Sequence, residues 1–378
     1  MEFPRSDSSS SPSSSTPTPN NADPKKNPSS DPMHSWWESV SKARSRIHAL
    51  AAILPSSSSS DSLSSLADSD RPALSLLSSH AAYSAVSSSL SGSHFDPLCQ
   101  WLYDTFLSSD PHLRLVVLSF VPLLAGLYLS RIHSPEPPSL AGFEAVLLAL
   151  YAAETKSRNG KPLVVTIPDL SHPSIYHTPL RKPQTLTLTT PPSVGLISPP
   201  LEPQLGVKST KRASIVGVAL HSFFSQISHM PAWSKLHFCQ FAAAWAGGAS
   251  HCPCRNELDR DGEINDFAST VEIRDDMGGK GERIPLPWEI LQPSLRILGH
   301  CLLGPLNSQD VKDAASFAVR CLYARASHDL VPQAILATRS LIQLDVRTRD
   351  AAKANAATNS NANTPTKSKK PEILLVSK

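Results

Sequence analysis

Within the stretch Val164 to Pro179, VVTIPDLSHPSIYHTP, two histidines flank a serine and a tyrosine: His172, Ser174, Tyr176 and His177. Imidazoles beside a hydroxyl suit hydrolysis, one ring taking the nucleophile's proton while a second group orients it. A soluble hydrolase on His172, Ser174 and His177 is therefore the first enzymatic alternative. The surrounding backbone argues for architecture instead. Pro168, Pro173 and Pro179 fix φ at three points, so the histidines read as structural. Tyr176 is expected to lay its ring on the helical body and give its hydroxyl to a backbone group.

His251-Cys252-Pro253-Cys254 is the best metal candidate. Zinc takes four ligands in a tetrahedron, and His251, Cys252 and Cys254 supply at most three from a cramped turn, with no second cysteine pair at finger-like spacing. The segment reads as a loop after a helix, with a metal-dependent enzyme on those three residues as the alternative. Asp259, Asp261, Glu263 and Asp266 suggest a calcium loop, but Gly262 falls fourth where the pattern needs it sixth, and no glutamate closes position twelve. A solvated acidic loop follows. Gly278-Gly279-Lys280-Gly281 lacks both the spacing of a phosphate loop and the hydroxyl after its lysine. No Gly-x-Ser-x-Gly elbow and no kinase signature set is present.

The elements that hold these residues are mostly helical. Trp36, Val40, Ala43, Ile47, Leu50 and Leu54 recur at helical steps and share one face of a helix ending at Pro55. Trp37, one residue off that face, is expected to be exposed or to meet a partner, since exposed Trp is favoured at interfaces. A Ser-rich loop and a helix from Pro72, carrying Leu74, Leu77, Ala81 and Ala85, come next. Asp96-Pro97 and Asp110-Pro111 each set a capping carboxylate before a first-turn proline. Leu98, Trp101, Leu102, Thr105 and Phe106 form the stripe between them. The second of these helices should run to Ile132 and bend at Pro122. Leu140 to Glu154, apolar nearly all round, predicts a helix at the centre of the bundle. Leu163 to Ile167 predicts a strand with Thr185 to Thr189 as its partner, and 179–211 an irregular excursion. Helices resume over 214–229 and 233–245, stopped by Gly247-Gly248. After a charged loop, 251–283, three more cover 288–303, 309–327 and 332–346, with Ser308 capping one and Asp329 opening another. The fold class is all-α in the main, a multi-helix bundle or solenoid-like domain with one small β-hairpin.

Composition bounds the rest. Eleven Ser and seven Pro lie in the first 35 residues, and 348–378 has little to bury. The expectation is a disordered tail over 1–34, a helical domain over 35–347 and a disordered basic tail over 348–378. The domain, in a chain 40% hydrophobic, has enough apolar residues for a core. A net charge of +3, dispersed, excludes the clustered basic face that nucleic acid requires. From Ala351 on, five Lys stand against one Glu, a weak membrane contact at most. Six cysteines without framework spacing, and no leader or sequon, fit a reducing cytosol. The longest apolar run, Leu115 to Leu129, is shorter than the ~20 residues of a membrane span and reads as a core helix.

Four segments together resemble the hyccin family: DPLCQWLYDTF (96–106), FEAVLLALYAAE (143–154), TIPDLSHPSIYHTP (166–179) and MPAWSKLHFC (230–239). The third is the most specific, and its Pro168, Pro173, Ser174, Tyr176 and His177 are its structural signature. The resemblance implies an almost wholly helical fold and no catalytic residue or cofactor. By implication the protein is a non-catalytic scaffold subunit of the plasma-membrane complex containing type III phosphatidylinositol 4-kinase alpha. Its partners would be that kinase, a tetratricopeptide-repeat scaffold onto which it clamps, and the membrane-anchored adaptor that the scaffold meets. It would work in the cytosol and at the cytoplasmic face of the plasma membrane, held there through the complex. The Ser/Pro N-terminal extension and the 251–283 loop depart from the family pattern, so no contact residue is carried over.

Overall fold

The computed structural model describes residues 32–54, 59–134, 139–167, 193–247 and 286–361. The chain forms two compact units, Met1–Ser39 and Val40–Lys378. The described part of the first is 32–39, the opening turns of helix α1 (Pro32–Ile53). Here Trp36 and Trp37 meet edge to face, centroids 4.9 Å apart, and both are exposed. Trp36 therefore does not continue the buried stripe. In the second unit that stripe holds, with Val40, Ala43, Ile47, Leu50 and Leu54 all buried.

The Ser-rich stretch expected as a loop contains helix α2 (Ser59–Ala67). Serine is a weak helix former, but Leu63 and Ala67, one turn apart, both reach the core, and packing overrides propensity. Arg44 Nε donates to Ala67 O at 3.0 Å and ties α2 to α1. The single helix expected from Pro72 is two, α3 (Pro72–Ser78) and α4 (His80–Ser89). Ser79 breaks it, its Oγ accepting from Ala82 N–H at 3.2 Å. The break rotates the buried face onto Ala82, Tyr83 and Val86, and Ala81 points to solvent.

Both Asp-Pro starts form as expected, opening α5 (Pro97–Leu107) and α6 (Pro111–Ser119). All five expected stripe residues of α5 are buried. Asp96 does more than cap. Its Oδ1 accepts from Leu98 N–H (2.8 Å) and Cys99 N–H (3.4 Å), and its Oδ2 from Ser91 N–H (2.7 Å), Ser91 Oγ (2.9 Å) and Gly92 N–H (2.6 Å). Asp110 caps its helix by accepting from His112 N–H and Leu113 N–H, both at 2.9 Å. Pro122 does not bend one long helix. The helix stops at Phe120, and Pro122 lies in the first turn of α7 (Val121–Ile132), where its missing N–H costs nothing.

Helix α8 (Ala141–Arg158) buries Phe143, Val146, Leu147, Leu150 and Tyr151, while Ala145 and Ala152 face solvent. The centre belongs to α9 (Arg212–Ser225), buried continuously from Ile215 to Leu220. It packs against α6, α7, α8 and α11 (Trp288–Leu303). At the α9–α11 crossing a Cβ on Gly217 would stand 2.2 Å from Glu289 O, so only glycine allows the approach. Pro293, four residues after Glu289 inside α11, has no N–H to give that carbonyl. Helix α10 (Ala232–Trp245) lies between α7 and α12 (Gln309–His328), and α13 (Pro332–Asn361) runs along α11 and α12. α13, expected over 332–346, runs on to Asn361. Ser308 stands at the N-cap of α12 without a capping side-chain bond, and Asp329 closes α12, paired with Arg325, rather than opening α13.

Strand β1 (Leu163–Ile167) forms as expected, but its antiparallel partner is β2 (Ser193–Ser198), inside the stretch expected to be irregular. Thr185 to Thr189 lies outside the described residues. The pairs are Val164 with Leu196, Val165 with Gly195, Thr166 with Val194 and Ile167 with Ser193. A mainly all-α fold with one small two-stranded sheet results.

Candidate interaction surface

Alternation along the ribbon puts Val164, Thr166, Val194 and Leu196 on one face. All are exposed, Leu196 by 64%, Val194 by 59% and Val164 by 52%. On the other face Val165 and Ile167, also exposed, flank Gly195, each with a methyl 3.4 Å from where a Cβ would stand. Two-stranded ribbons are marginal in water, and unpaired strand edges are templates for a further strand. Apolar area left open on such an element is the composition of a contact surface. Trp37 is 55% exposed in the first unit, beside the exposed Trp36.

The sequence candidates for chemistry are not among the described residues. Pro168, His172, Pro173, Ser174, Tyr176 and His177 lie outside them, as do His251, Cys252, Cys254, the acidic residues 259–266 and Gly278–Gly281. Among the described residues no three His, Cys, Asp or Glu side chains gather at metal-binding distance. The strongest titration shifts come from burial. It pushes the Cys99 thiol and Tyr83 hydroxyl up, carries Tyr128 to about 12, and brings His237 down to about 4. His221 also falls to about 4, through burial first and then the Arg158 charge. Cys239 is raised by a hydrogen bond with Cys301 and by burial. These shifts favour neutral forms and leave the thiols unactivated. Sequence reasoning missed the open ribbon face, because β2 is flanked by prolines and reads as loop.

Pro111–Ile132 is, among the described residues, the segment long and apolar enough to cross a membrane by length and composition, yet 72% of its window is buried within the fold. It is broken at Phe120 and packed from both sides, which is the arrangement of a core element.

The pattern of caps, the central apolar helices and the β-branched strand leading into the Pro/His signature agree with an independent comparison. The Hyccin family model matches residues 67–377, most of the chain. The chain therefore belongs to the hyccin family.

Proposed function

We propose that this chain is a non-catalytic scaffold subunit of a phosphatidylinositol 4-kinase complex, and that it works by burying apolar surface against a tetratricopeptide-repeat partner. Family membership supports the association with the kinase complex. The observation that carries the docking mode is the open ribbon face of Val164, Val194 and Leu196. Helical-repeat proteins present long concave surfaces, and apolar burial contributes about 25 cal/mol per Å² removed from water. Through the scaffold the protein reaches a membrane-anchored adaptor and the cytoplasmic face of the plasma membrane, where it supports phosphatidylinositol 4-phosphate synthesis. Trp37 is the proposed second contact, and Pro168, Pro173, Ser174, Tyr176 and His177 keep a structural role.

Affinity capture of the full chain from cytosol, followed by mass spectrometry, tests this. The repeat scaffold and the lipid kinase are expected together, and absence of both sinks the proposal. A Val194→Asp, Leu196→Asp double variant should lose the scaffold while keeping the helical circular dichroism of the parent. Undiminished capture would remove the ribbon from the interface. Loss of the protein in cells should lower plasma-membrane phosphatidylinositol 4-phosphate.

A further inference from the structure

The two strands of the ribbon, LVVTI and SVGLIS, carry no charge and no aromatic ring. Val165 and Ile167 are exposed as well as Val164, Val194 and Leu196, so aliphatic side chains stand open on both faces. Exposed edge strands ordinarily carry a lysine, a proline or an inward charge that keeps other chains off, and none stands within these two. The charges lie at the foot instead. β1 leaves α8 through a turn in which Gly160 N–H donates to Thr155 O (3.2 Å) and Lys161 N–H to Arg158 O (2.9 Å). Past the end of β2, Leu201 N–H donates to Gly160 O (3.3 Å), so both strands are rooted at the last turn of α8, which carries Lys156 and Arg158. Lys156 and Lys161 are exposed, and neither has an ion pair among the described residues. Arg158 is neutralised by Glu154, Nε to Oε1 2.6 Å, and Glu202, next after Leu201, by Lys211 at 3.9 Å. α11 adds one charge of each sign. Glu289 shares a small groove with Ser198 and His221, and Arg296 Nη1 donates to His221 Nδ1 at 3.3 Å. Two uncompensated positive charges, Lys156 and Lys161, therefore stand at the foot of an uncharged ribbon.

A second copy of the chain does not fit this surface, because a self-complementary contact through the ribbon sets the same lysines of both copies at one rim, and like charges there cost affinity. A bilayer fits no better. The outer edges of a two-stranded ribbon hold backbone N–H and C=O groups that hydrocarbon cannot satisfy, and these strands lack the Trp or Tyr that anchors at the headgroup layer. A protein groove can offer polar groups to the edges, an apolar floor to the aliphatic residues and carboxylates to the lysines. The strands alone are also smaller than the roughly 20 residues a side of a standard interface, so the footprint has to extend past them, and on the α8 side it extends onto Lys156 and Lys161. We propose, resting on the docking mode given above, that Lys156 and Lys161 belong to the ribbon's contact surface and that the repeat scaffold's groove is apolar at its floor and acidic at the rim they meet. The aliphatic residues hold the partner, and the lysines steer it in.

The test captures the tetratricopeptide-repeat scaffold from cytosol with the full chain, immobilises the purified scaffold, and times association and dissociation of the full chain from low to high salt. The association rate should fall as salt rises. Lys156→Glu together with Lys161→Glu should lower it about tenfold or more at low salt and remove most of its salt dependence, while dissociation changes by about twofold or less. Val194→Asp with Leu196→Asp should instead speed dissociation. Lys156→Arg with Lys161→Arg should keep the parent's association rate, which separates loss of charge from loss of fold. If the parent chain captures no repeat scaffold, the docking mode falls and this surface with it. Capture with an association rate indifferent to salt, or to the two Glu substitutions, overturns the role of the lysines and leaves the docking mode standing. So does binding to phosphatidylcholine and phosphatidylserine vesicles, or a dimer in solution, that the Glu substitutions abolish while scaffold association stays unchanged.

Discussion

Replacing Asp96 by Ala removes five hydrogen bonds at once, two of them capping bonds from Leu98 and Cys99 N–H of the kind that Asp110 makes with His112 and Leu113 N–H. The capping share common to both is about 1–2 kcal/mol. The three bonds from Ser91 and Gly92 add about 1 kcal/mol each, and the Gly92 N–H is buried and left unmet when the carboxylate goes. Asp96→Ala should therefore cost about 4–5 kcal/mol, against about 1–2 kcal/mol for the loss of a cap alone, read as urea-unfolding free energies of the full chain. Acid offers an internal check. Burial opposes the charged Asp96 carboxylate, but the bonds from Gly92, Ser91 and Leu98 win and hold its carboxyl below the usual range. A group with a depressed folded pKa stabilises fully above its unfolded value, about 3.9, and loses that contribution as pH falls through the folded value. The gap between parent and Asp96→Ala should accordingly be flat from pH 7 to 5 and shrink below about pH 4. A cost of about 2 kcal/mol or less for Asp96→Ala at neutral pH, that of the cap alone, would refute the reasoning that the Ser91–Gly92 loop hangs on this carboxylate.

Leu330 sits at φ 54° just after α12 and is largely exposed, so Leu330→Gly should raise the urea midpoint by about 1 kcal/mol of stability. Gly217→Ala drives a methyl into Glu289 O and should cost about 1–3 kcal/mol, visible as a lowered melting temperature. His237, brought to about 4 by burial, takes up its proton more readily unfolded, so it removes stability as pH falls from about 6.5 to 4. His237→Leu should abolish about 3 kcal/mol of that acid sensitivity in denaturation curves at pH 4 and 7.

What could be read from residues alone was whatever two local signals agreed on. Asp96-Pro97 and Asp110-Pro111 combine a cap with a tolerated proline, and both helix starts are where that pairing puts them. Asn159, at φ 47°, and Gly160, at φ 70°, end α8 in the left-handed backbone that these two residue types accept most readily. The misses came where distant packing decides. Leu63 and Ala67 make a helix of serines because a core receives them, and Pro122 was a start signal read as a kink. SVGLIS at 193–198 is too short, and too closely bracketed by prolines, to announce a strand before its partner is known. The ribbon's open face was invisible for the same reason, since exposure depends on which register the strands adopt.

The broken apolar stretch from Pro111 to Ile132 has a consequence for how the protein is made. Its covering helices α9 and α10 begin only at Arg212, about 80 residues after Ile132. At the ~5–20 residues per second of synthesis, a segment greasy enough for a bilayer waits ~4–16 s for its lid. During that interval translocation machinery and chaperones compete with the fold for it. Any truncation ending between 132 and 212 makes the wait permanent, so such a fragment should be found on lipid or chaperone rather than in free solution.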